Sequence, residues 1–226
     1  MTTFKMIRQM VAIALYVTAS IAQADSIEEE IKQLQQEWAA TNYQLPEEER
    51  EKSFEALSLR ARALSNQYPK HAEPLIWEGI ILSTYAGTKG GLGALGLVTD
   101  ARDRLLEAEK INPKVLNGSV YTSLGSLYYQ VPGWPISFGD DDKSKQYLKQ
   151  ALRINPDGID PNYFYGDFLI EQGQYKQAIQ VLKKALRATP RPDRPIADRE
   201  RRKEIDAKIA HAQALIFAHN NQTSGW

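Results

Sequence analysis

Apolar side chains recur along this chain at the spacing of amphipathic helices, and glycine or proline residues divide them into pairs. The clearest pair lies between Asn162 and Pro190, where Gly173 separates two helical patterns. The second pattern places Ala178 and Leu182 four residues apart, and therefore on one face. Pro190 ends this helix because proline lacks the backbone N–H that a helix interior requires. The pattern predicts a helical hairpin in this part of the chain.

The hairpin recurs toward the N-terminus with a regular period. Pro156 precedes Pro190 by 34 residues, and Leu148 precedes Leu182 by the same interval. A period of this length is typical of a helical solenoid, in which each pair of helices packs on the next pair. The spacing predicts four hairpins, at about 27–69, 72–113, 115–156 and 159–190.

A last amphipathic helix is predicted at about 195–219, followed by a flexible tail at 220–226. Its apolar stripe consists of Ile205, Ile209, Ala212 and Ile216. Its opposite face carries Arg199, Arg202, Lys203 and Lys208. A solenoid needs a polar outer face at its open end, so this pattern predicts a capping helix.

The hairpins resemble the tetratricopeptide repeat (TPR), whose first helix carries Leu-Gly-x-x-Tyr and whose second carries Ala-x-x-x-Phe before a Pro. Leu124, Gly125 and Tyr128 reproduce the first pattern. In the 159–190 hairpin the equivalent positions are Tyr165, Gly166, Leu169, Ala178, Leu182 and Pro190. The resemblance implies an all-α fold, namely a right-handed α-solenoid of about four TPR-like helical hairpins plus a C-terminal capping helix.

The first 24 residues have the pattern of an export signal. Lys5 and Arg8 precede an apolar run that extends from Met10 to Ala19, and Ala22-Gln23-Ala24 forms a small-x-small cleavage site. The run is shorter than the roughly 20 residues that span a membrane. The pattern predicts a signal peptide at 1–24 that is cleaved after Ala24, and hence a periplasmic protein. An uncleaved N-terminal anchor is the alternative.

Composition excludes several function classes. The chain has 28 basic and 28 acidic residues, and this balance does not favour nucleic-acid binding. It has no cysteine, so disulfides, thiolate metal sites and cysteine nucleophiles are excluded. Its three histidines, His71, His211 and His219, lie far apart and match no catalytic pattern. We therefore expect no enzyme activity, no cofactor and no metal.

Extra residues lie between the helices of the second and third hairpins. The distance from the repeat glycine to the closing proline is 24 residues for Gly166 but 34 for Gly79 and 31 for Gly125. The insertions correspond to 86–98 and 131–141. Because equivalent turns of stacked repeats lie along one edge, we expect the two insertions to touch and to form a functional edge.

Two motifs in these insertions have competing interpretations. Residues 91–96 fit G-x-G-x-x-G, but a dinucleotide site needs a preceding strand, and here the motif follows a helix. A Gly-rich loop that packs on its neighbours or contacts a ligand is favoured. Asp140, Asp141 and Asp142 match a helix N-cap better than a calcium site, which needs six to eight oxygen ligands. Trp134 lies in a proline-rich turn and either packs on the hairpin or contacts a ligand.

The TPR resemblance implies a groove lined by the first helix of each hairpin. By family register its residues are Glu73, Ile76, Ile80, Ser83, Thr84, Ser119, Thr122, Ser126, Tyr129, Asp160, Tyr163, Asp167 and Ile170. These positions carry no array of Lys and Arg that would clamp a peptide C-terminus. The candidate partner- or ligand-binding residues are Trp134, Phe138, Leu92, Leu95, Tyr129, Tyr163 and Asp167.

The export signal, the insertions and the chain length resemble the T component of TPR-associated TRAP transporters. That family is periplasmic and partners a substrate-binding protein, although its members are typically anchored through a lipid-modified cysteine, which this chain lacks. The resemblance implies a non-catalytic periplasmic scaffold or adaptor for protein–protein interaction, with a transport-associated partner. The alternative is a carrier for a small apolar ligand that uses the groove and the Gly-rich loop.

Overall fold

A computed structural model describes residues 27–223, so the predicted signal peptide at 1–24 and residues 224–226 of the predicted tail lie outside the described residues. Between 27 and 223 the chain forms nine α-helices and no strand, which confirms the all-α prediction. They are α1 (27–44), α2 (Glu47–Gln67), α3 (Ala72–Lys89), α4 (Ala94–Ile111), α5 (Val115–Gln130), α6 (Asp141–Ile154), α7 (Ile159–Glu171), α8 (Tyr175–Leu186) and α9 (Pro195–Thr223). None of these helices is long and apolar enough to cross a membrane.

Consecutive helices pack in pairs, and the pairs stack. Helix α3 packs on α4, α5 on α6 and α7 on α8, while α3, α5 and α7 also contact one another in succession. The first helices of the hairpins therefore form one layer, and the second helices form the other. This is the arrangement of a helical solenoid, in which the layer of first helices lines the concave side.

The core consists of three clusters that follow the stack. The first joins α1 and α2 to Trp77 of α3, the second joins α3, α4 and α5, and the third joins α7 and α8 to Ile205 and Ala212 of α9. Ala197, in the first turn of α9, belongs to the first cluster instead. Helix α9 therefore packs on the last hairpin along most of its length while its beginning reaches back to the N-terminal hairpins.

The Gly-rich insertion does not form the predicted 86–98 loop. Helix α3 continues to Lys89 and α4 begins at Ala94, so only four residues form the turn. Gly90 and Gly91 have φ values of 64° and 58°, which glycine adopts without steric cost. Most of the extra residues lengthen the two helices by continuing their backbone hydrogen bonds. The second insertion is a true loop between α5 and α6, held by a bridge between Gly133 and Gly139.

Helix α9 begins at Pro195 as predicted but differs from the prediction in its C-terminal end and in the role of Arg202. It continues to Thr223, so residues 220–223 are helical and not a loose tail. Arg202 does not belong to a solvent-facing surface, because its guanidinium donates to the backbone carbonyls of Leu186 and Ala188. Leu186 is the last residue of α8 and Ala188 follows it, so neither carbonyl has a partner within the helix. Arg202 therefore fastens α9 to the C-terminal end of α8.

Candidate functional site

A cavity of about 580 Å³ lies on the concave side of the solenoid. This volume is in the range of small-molecule and peptide pockets. Its walls include predicted groove positions from two first helices, namely Ile80, Ser83 and Thr84 of α3 and Ser119, Thr122 and Ser126 of α5. Two other predicted groove residues, Ile76 and Ile170, are instead buried in the core, because they point between the two layers of helices.

A second cavity of about 350 Å³ adjoins the first one. The residues that line both cavities are Trp77, Ser119, Thr122, Asp160 and Arg194. We call the two cavities together the groove, and these five residues its junction. Because α3, α5, α7 and the segment before α9 each supply a junction residue, the groove depends on the closure of α9 onto the N-terminal hairpins.

Asp160, at the start of α7, is the centre of an ion cluster at the junction. Its Oδ2 lies 2.7 Å from a terminal guanidinium nitrogen of Arg191, and its Oδ1 accepts from Nε of Arg201 at 3.1 Å. Burial alone would raise the pKa of Asp160, but the three neighbouring arginines outweigh it and hold that pKa well below its usual range. Asp160 is therefore a fixed negative charge that ties α7 to α9.

The other two carboxylates of the cluster are also paired. Asp198 accepts hydrogen bonds from the backbone N–H and from Nε of Arg191, both at 2.7 Å. Glu204 accepts from Arg201 at 2.6 Å. Arg201 also lies over the Tyr163 ring, 4.1 Å from its centroid. Each of these charges thus has a specific partner within the protein.

Arg194 differs from its two arginine neighbours. Its guanidinium lies 5.2 Å from the centre of the Trp77 ring, and its nearest carboxylate oxygen, on Asp160, is 3.9 Å away. Its Nε–H is buried without a hydrogen-bond partner among residues 27–223, and the same is true of Nε1–H of Trp77. The Arg194 Nε–H and the Trp77 Nε1–H are therefore two buried donors at the junction that no described residue accepts from.

An unusual backbone segment adjoins the smaller cavity. At the start of α5, Leu116, Asn117 and Gly118 have φ values of 49°, 55° and 72°, in the left-handed region. A non-glycine residue in this region costs on the order of 1 kcal/mol, and such strain is concentrated at functional sites. Leu116 and Asn117 line the smaller cavity, so the strained turn forms part of the groove wall.

The predicted site residues Tyr129, Tyr163 and Asp167 lie together where α5, α7 and α9 meet. Tyr129 donates to Oδ2 of Asp167 at 2.7 Å, and Lys208 pairs with Oδ1 of the same carboxylate at 2.5 Å. Burial raises the pKa of Tyr129, and the charge of Asp167 raises it further. Tyr129 and Asp167 therefore form an internal network with Lys208 that links α5 and α7 to α9, while Tyr163 contacts Arg201 of α9 through its ring.

The other four predicted site residues lie at the turns that follow α3 and α5. Leu92 and Trp134 are 86% and 90% exposed, so neither packs on its neighbours. Phe138 packs edge-on against Tyr128 at 5.5 Å, and Arg102 lies 4.5 Å from its ring centre. Leu95 is half-buried in α4. The structure thus separates the seven predicted residues into an internal group and a group at the turns.

Asp140 caps α6, as the sequence predicts. Its Oδ1 accepts from the backbone N–H of Lys143 at 3.0 Å, and that hydrogen bond is the main reason why the pKa of Asp140 is lowered. Among residues 27–223 no three His, Asp or Glu side chains are grouped as metal ligands.

Sequence reasoning missed the three arginines that surround Asp160. The family register assigns groove positions only to the first helices of hairpins, whereas Arg191, Arg194 and Arg201 come from the connection before α9 and from α9 itself. The available signal was the density of charge between 191 and 204, which is high for a helix expected only to cap a solenoid.

Comparisons with known proteins support the repeat assignment in part of the chain. The family model for the tetratricopeptide repeat matches residues 137–197, which include α6, α7 and α8. No curated protein sequence matches the chain. The solved structures that match include a thermophilic TPR protein of Thermus thermophilus, with 16% identity over 72% of this chain and 91% of that one and a TM-score of 0.41. The pilF protein of Pseudomonas aeruginosa matches with 14% identity over 89% and 95% of the two chains and a TM-score of 0.33.

The match to 137–197 falls on the hairpin whose residues carry the TPR resemblance, and the helices pair and stack as TPR hairpins do. The predicted fold, an all-helical TPR-like solenoid, is therefore confirmed.

Proposed function

We propose that this TPR-like protein is a non-catalytic scaffold that binds a segment of a partner protein in its groove. The observation that supports this function most strongly is the groove itself, which is formed by the first helices of successive hairpins and closed by α9. TPR solenoids use their concave side to bind other proteins, and the match at residues 137–197 supports the same use here.

The lining of the groove favours a polypeptide over a small apolar ligand. Apart from Trp38, Trp77, Ile80 and Phe164, most side chains of the larger cavity are hydroxyl, amide or charged groups. Hydroxyls and charges at this density match the backbone and side-chain polar groups of a peptide. An apolar ligand would leave them without hydrogen-bond partners, at a cost of about 1–3 kcal/mol for each buried group.

We further propose that the protein functions in the periplasm after removal of residues 1–24, beside a transport-associated partner such as a substrate-binding protein. The apolar run and the Ala22-Gln23-Ala24 site support export. The likeness to TRAP-transporter T components supports the class of partner. Neither proposal affects the location of the groove.

Photo-crosslinking tests the groove as the binding site. A benzophenone amino acid at Ser126 projects from a residue that lines the larger cavity, whereas the same group at Lys149 lies on an exposed position of α6. We expect a discrete crosslinked partner from a periplasmic extract of the host with the Ser126 variant and not with the Lys149 variant. Equal labelling at both positions, or labelling only at Lys149, would contradict a groove-bound partner.

A further inference from the structure

We propose that Arg194 binds a carboxylate of the partner segment at the junction of the two cavities. This inference deepens the proposed function and rests on it: the scaffold would recognise an acidic side chain in the bound polypeptide. The residues that carry the argument are Arg194, Trp77 and Asp160, which line both cavities.

The first argument comes from a comparison of the three arginines. Arg191 is held by Asp160 and Asp198 at 2.7 Å, and Arg201 is held by Asp160 and Glu204 at 3.1 and 2.6 Å. The Arg194 side chain makes no hydrogen bond to any residue between 27 and 223, and the carboxylate of Asp160 approaches it no closer than 3.9 Å. Only the Nε–H of Arg194 is buried, while the side chain as a whole is 18% exposed, so an unpartnered donor is left inside the protein and the rest of the guanidinium is accessible to a ligand anion.

The electrostatic surroundings of Arg194 point to the same ligand charge. Burial lowers the pKa of Arg194, the Asp160 charge opposes that effect, and the neighbouring charges of Arg191 and Arg201 lower the pKa further. Asp160 is already shared among all three arginines. The cluster as a whole is balanced, with three arginines and the carboxylates of Asp160, Asp198 and Glu204, but Arg194 is the arginine that has no carboxylate within hydrogen-bond distance.

The geometry of Arg194 suits a carboxylate in particular. Its guanidinium carbon lies over the Trp77 ring, 5.2 Å from the ring centre. The donors of a guanidinium lie in its plane and form a fork that matches the two oxygens of a carboxylate. The buried indole N–H of Trp77, which also has no partner among the described residues, lies beside this site and reports on it. The contact with the Trp77 ring restricts the guanidinium before the ligand arrives, which reduces the entropy lost on binding.

The remaining charges of the groove define where the carboxylate is placed. Glu47, Glu48 and Glu51 of α2 line the larger cavity together with Arg50 and Arg201, and Asp157 and Arg191 line the smaller one. Arg191 and Arg201 are already held by carboxylates at hydrogen-bond distance, whereas Arg194 is not. The acidic side chain of the partner segment is therefore placed beside Arg194 and not among the glutamates of α2.

Titration followed by NMR tests this site with defined probes. The probes are an N-acetylated, C-amidated pentapeptide Ala-Ala-Glu-Ala-Ala, its Gln counterpart without the charge, and glutarate as a free small acid. The readout is the indole N–H signal of Trp77, identified by its absence in Trp77→Phe. We expect the Glu peptide to shift this signal saturably and the Gln peptide to leave it unchanged.

Variants of Arg194 and a control at Arg199 connect the response to Arg194. Arg194→Gln should weaken binding of the Glu peptide by about tenfold or more, since a charge-assisted hydrogen bond is lost. Arg199→Gln, on an exposed position of α9, should bind as the parent does. If Arg194→Gln loses its dispersed spectrum, Arg194→Lys keeps the charge but lacks the planar fork, and weakened binding in that variant supports the site.

The outcomes separate this inference from the function on which it rests. No shift with either carboxylate probe, or equal binding by the parent and the Arg194 variants, overturns the site. A response to glutarate that exceeds the response to the Glu peptide overturns the polypeptide source and assigns the site to a free acid. If the Ser126 position still crosslinks a partner in Arg194→Gln and no carboxylate probe shifts the Trp77 signal, only the carboxylate site is contradicted. If the parent protein gives no crosslinked partner from the Ser126 position, the proposed function is contradicted, even where the Glu peptide still binds.

Discussion

A Cβ atom on Gly166 would lie 2.6 Å from Cγ of Leu182 on the facing helix. The same contact recurs in the two preceding hairpins, at 2.6 Å between Gly125 and Leu148 and at 2.7 Å between Gly79 and Leu105. The repeat glycine is therefore required by the close approach of α7 to α8, and of the equivalent pairs, and not by a special backbone angle. Each leucine fills the space that a side chain at the glycine would occupy.

The crossing of α7 and α8 gives the first prediction. Gly166→Ala should lower the free energy of unfolding by about 1–3 kcal/mol, because Leu182 must move to admit the methyl group. Gly87→Ala is the matched control. No atom lies within 4 Å of a Cβ at Gly87, and alanine favours a helix by about 0.5–1 kcal/mol. Urea unfolding of both variants checks the prediction, and a Gly166→Ala midpoint at or above that of the parent would contradict the register.

The Asp160 cluster gives a second prediction. Asp160→Asn removes the carboxylate that Arg191, Arg194 and Arg201 share, so we expect a loss of roughly 3 kcal/mol in stability near neutral pH. Asp157→Asn is the control, since Asp157 is 84% exposed and pairs only with Lys184. That change should cost less than about 0.5 kcal/mol. Equal losses in the two variants would mean that the cluster does not close α9 onto α7.

The same cluster gives the pH dependence of stability. The pKa of Asp160 in the folded protein is lowered by the arginines, below its value of about 3.9 in an unfolded chain. Its contribution is therefore complete above about pH 4 and is lost as the pH falls through the folded pKa. The difference in stability between the parent and Asp160→Asn should be constant from about pH 7 to 5 and should shrink below about pH 4. Unfolding midpoints measured across that interval test this, and a difference that grows on acidification would contradict it.

The loop between α5 and α6 gives a third prediction, in which two aromatic residues have opposite roles. Trp134→Ala should change stability by no more than about 0.5 kcal/mol, because the side chain is 90% exposed. Phe138→Ala should cost about 1–2 kcal/mol, because it loses its contacts with Tyr128 and Arg102. We expect Trp134→Ala to bind less of the crosslinked partner although its unfolding midpoint is unchanged. Equal binding by the variant and the parent would contradict a binding role for Trp134.

Export gives a fourth prediction. Intact-mass measurement of the protein purified from the periplasmic fraction of its host should give a chain that begins at Asp25, because Ala22-Gln23-Ala24 has the small-x-small pattern of a signal-peptidase site. Replacing Ala24 with a bulky residue should delay or prevent that cleavage. Recovery of the uncleaved chain from the cytoplasm of the parent strain would contradict export.

The helical repeat was predictable because its evidence is local. Pro156, Pro190, Leu148 and Leu182 carry the period, and each marks a helix end or a buried face. The Gly-rich insertion was predicted wrongly as a loop. Gly87 and Gly96 reduce helix propensity in isolation, but the surrounding apolar residues, such as Leu97 and Val98, pack into the second core cluster and stabilise the longer helices.

The junction of the groove was not predictable in the same way. The repeat register correctly places one part of the groove wall, because Ser83 of α3 and Ser126 of α5 both line the larger cavity. Arg194 enters the groove only because Ile196 and Ala197 pack on the N-terminal core, more than a hundred residues away along the chain. A contact between the two ends of a solenoid depends on its accumulated curvature, which no local pattern of residues reports.

The most direct test of the groove as the binding site uses the absence of cysteine from the chain. Ser126→Cys places a single thiol in the larger cavity, and Lys149→Cys places one on an exposed position of α6. Affinity for the partner captured by crosslinking is measured before and after each variant is modified with a bulky maleimide. Modification at 126 should abolish binding and modification at 149 should leave it unchanged, with both proteins still folded. Full binding after modification at 126 would contradict the groove as the site of partner recognition.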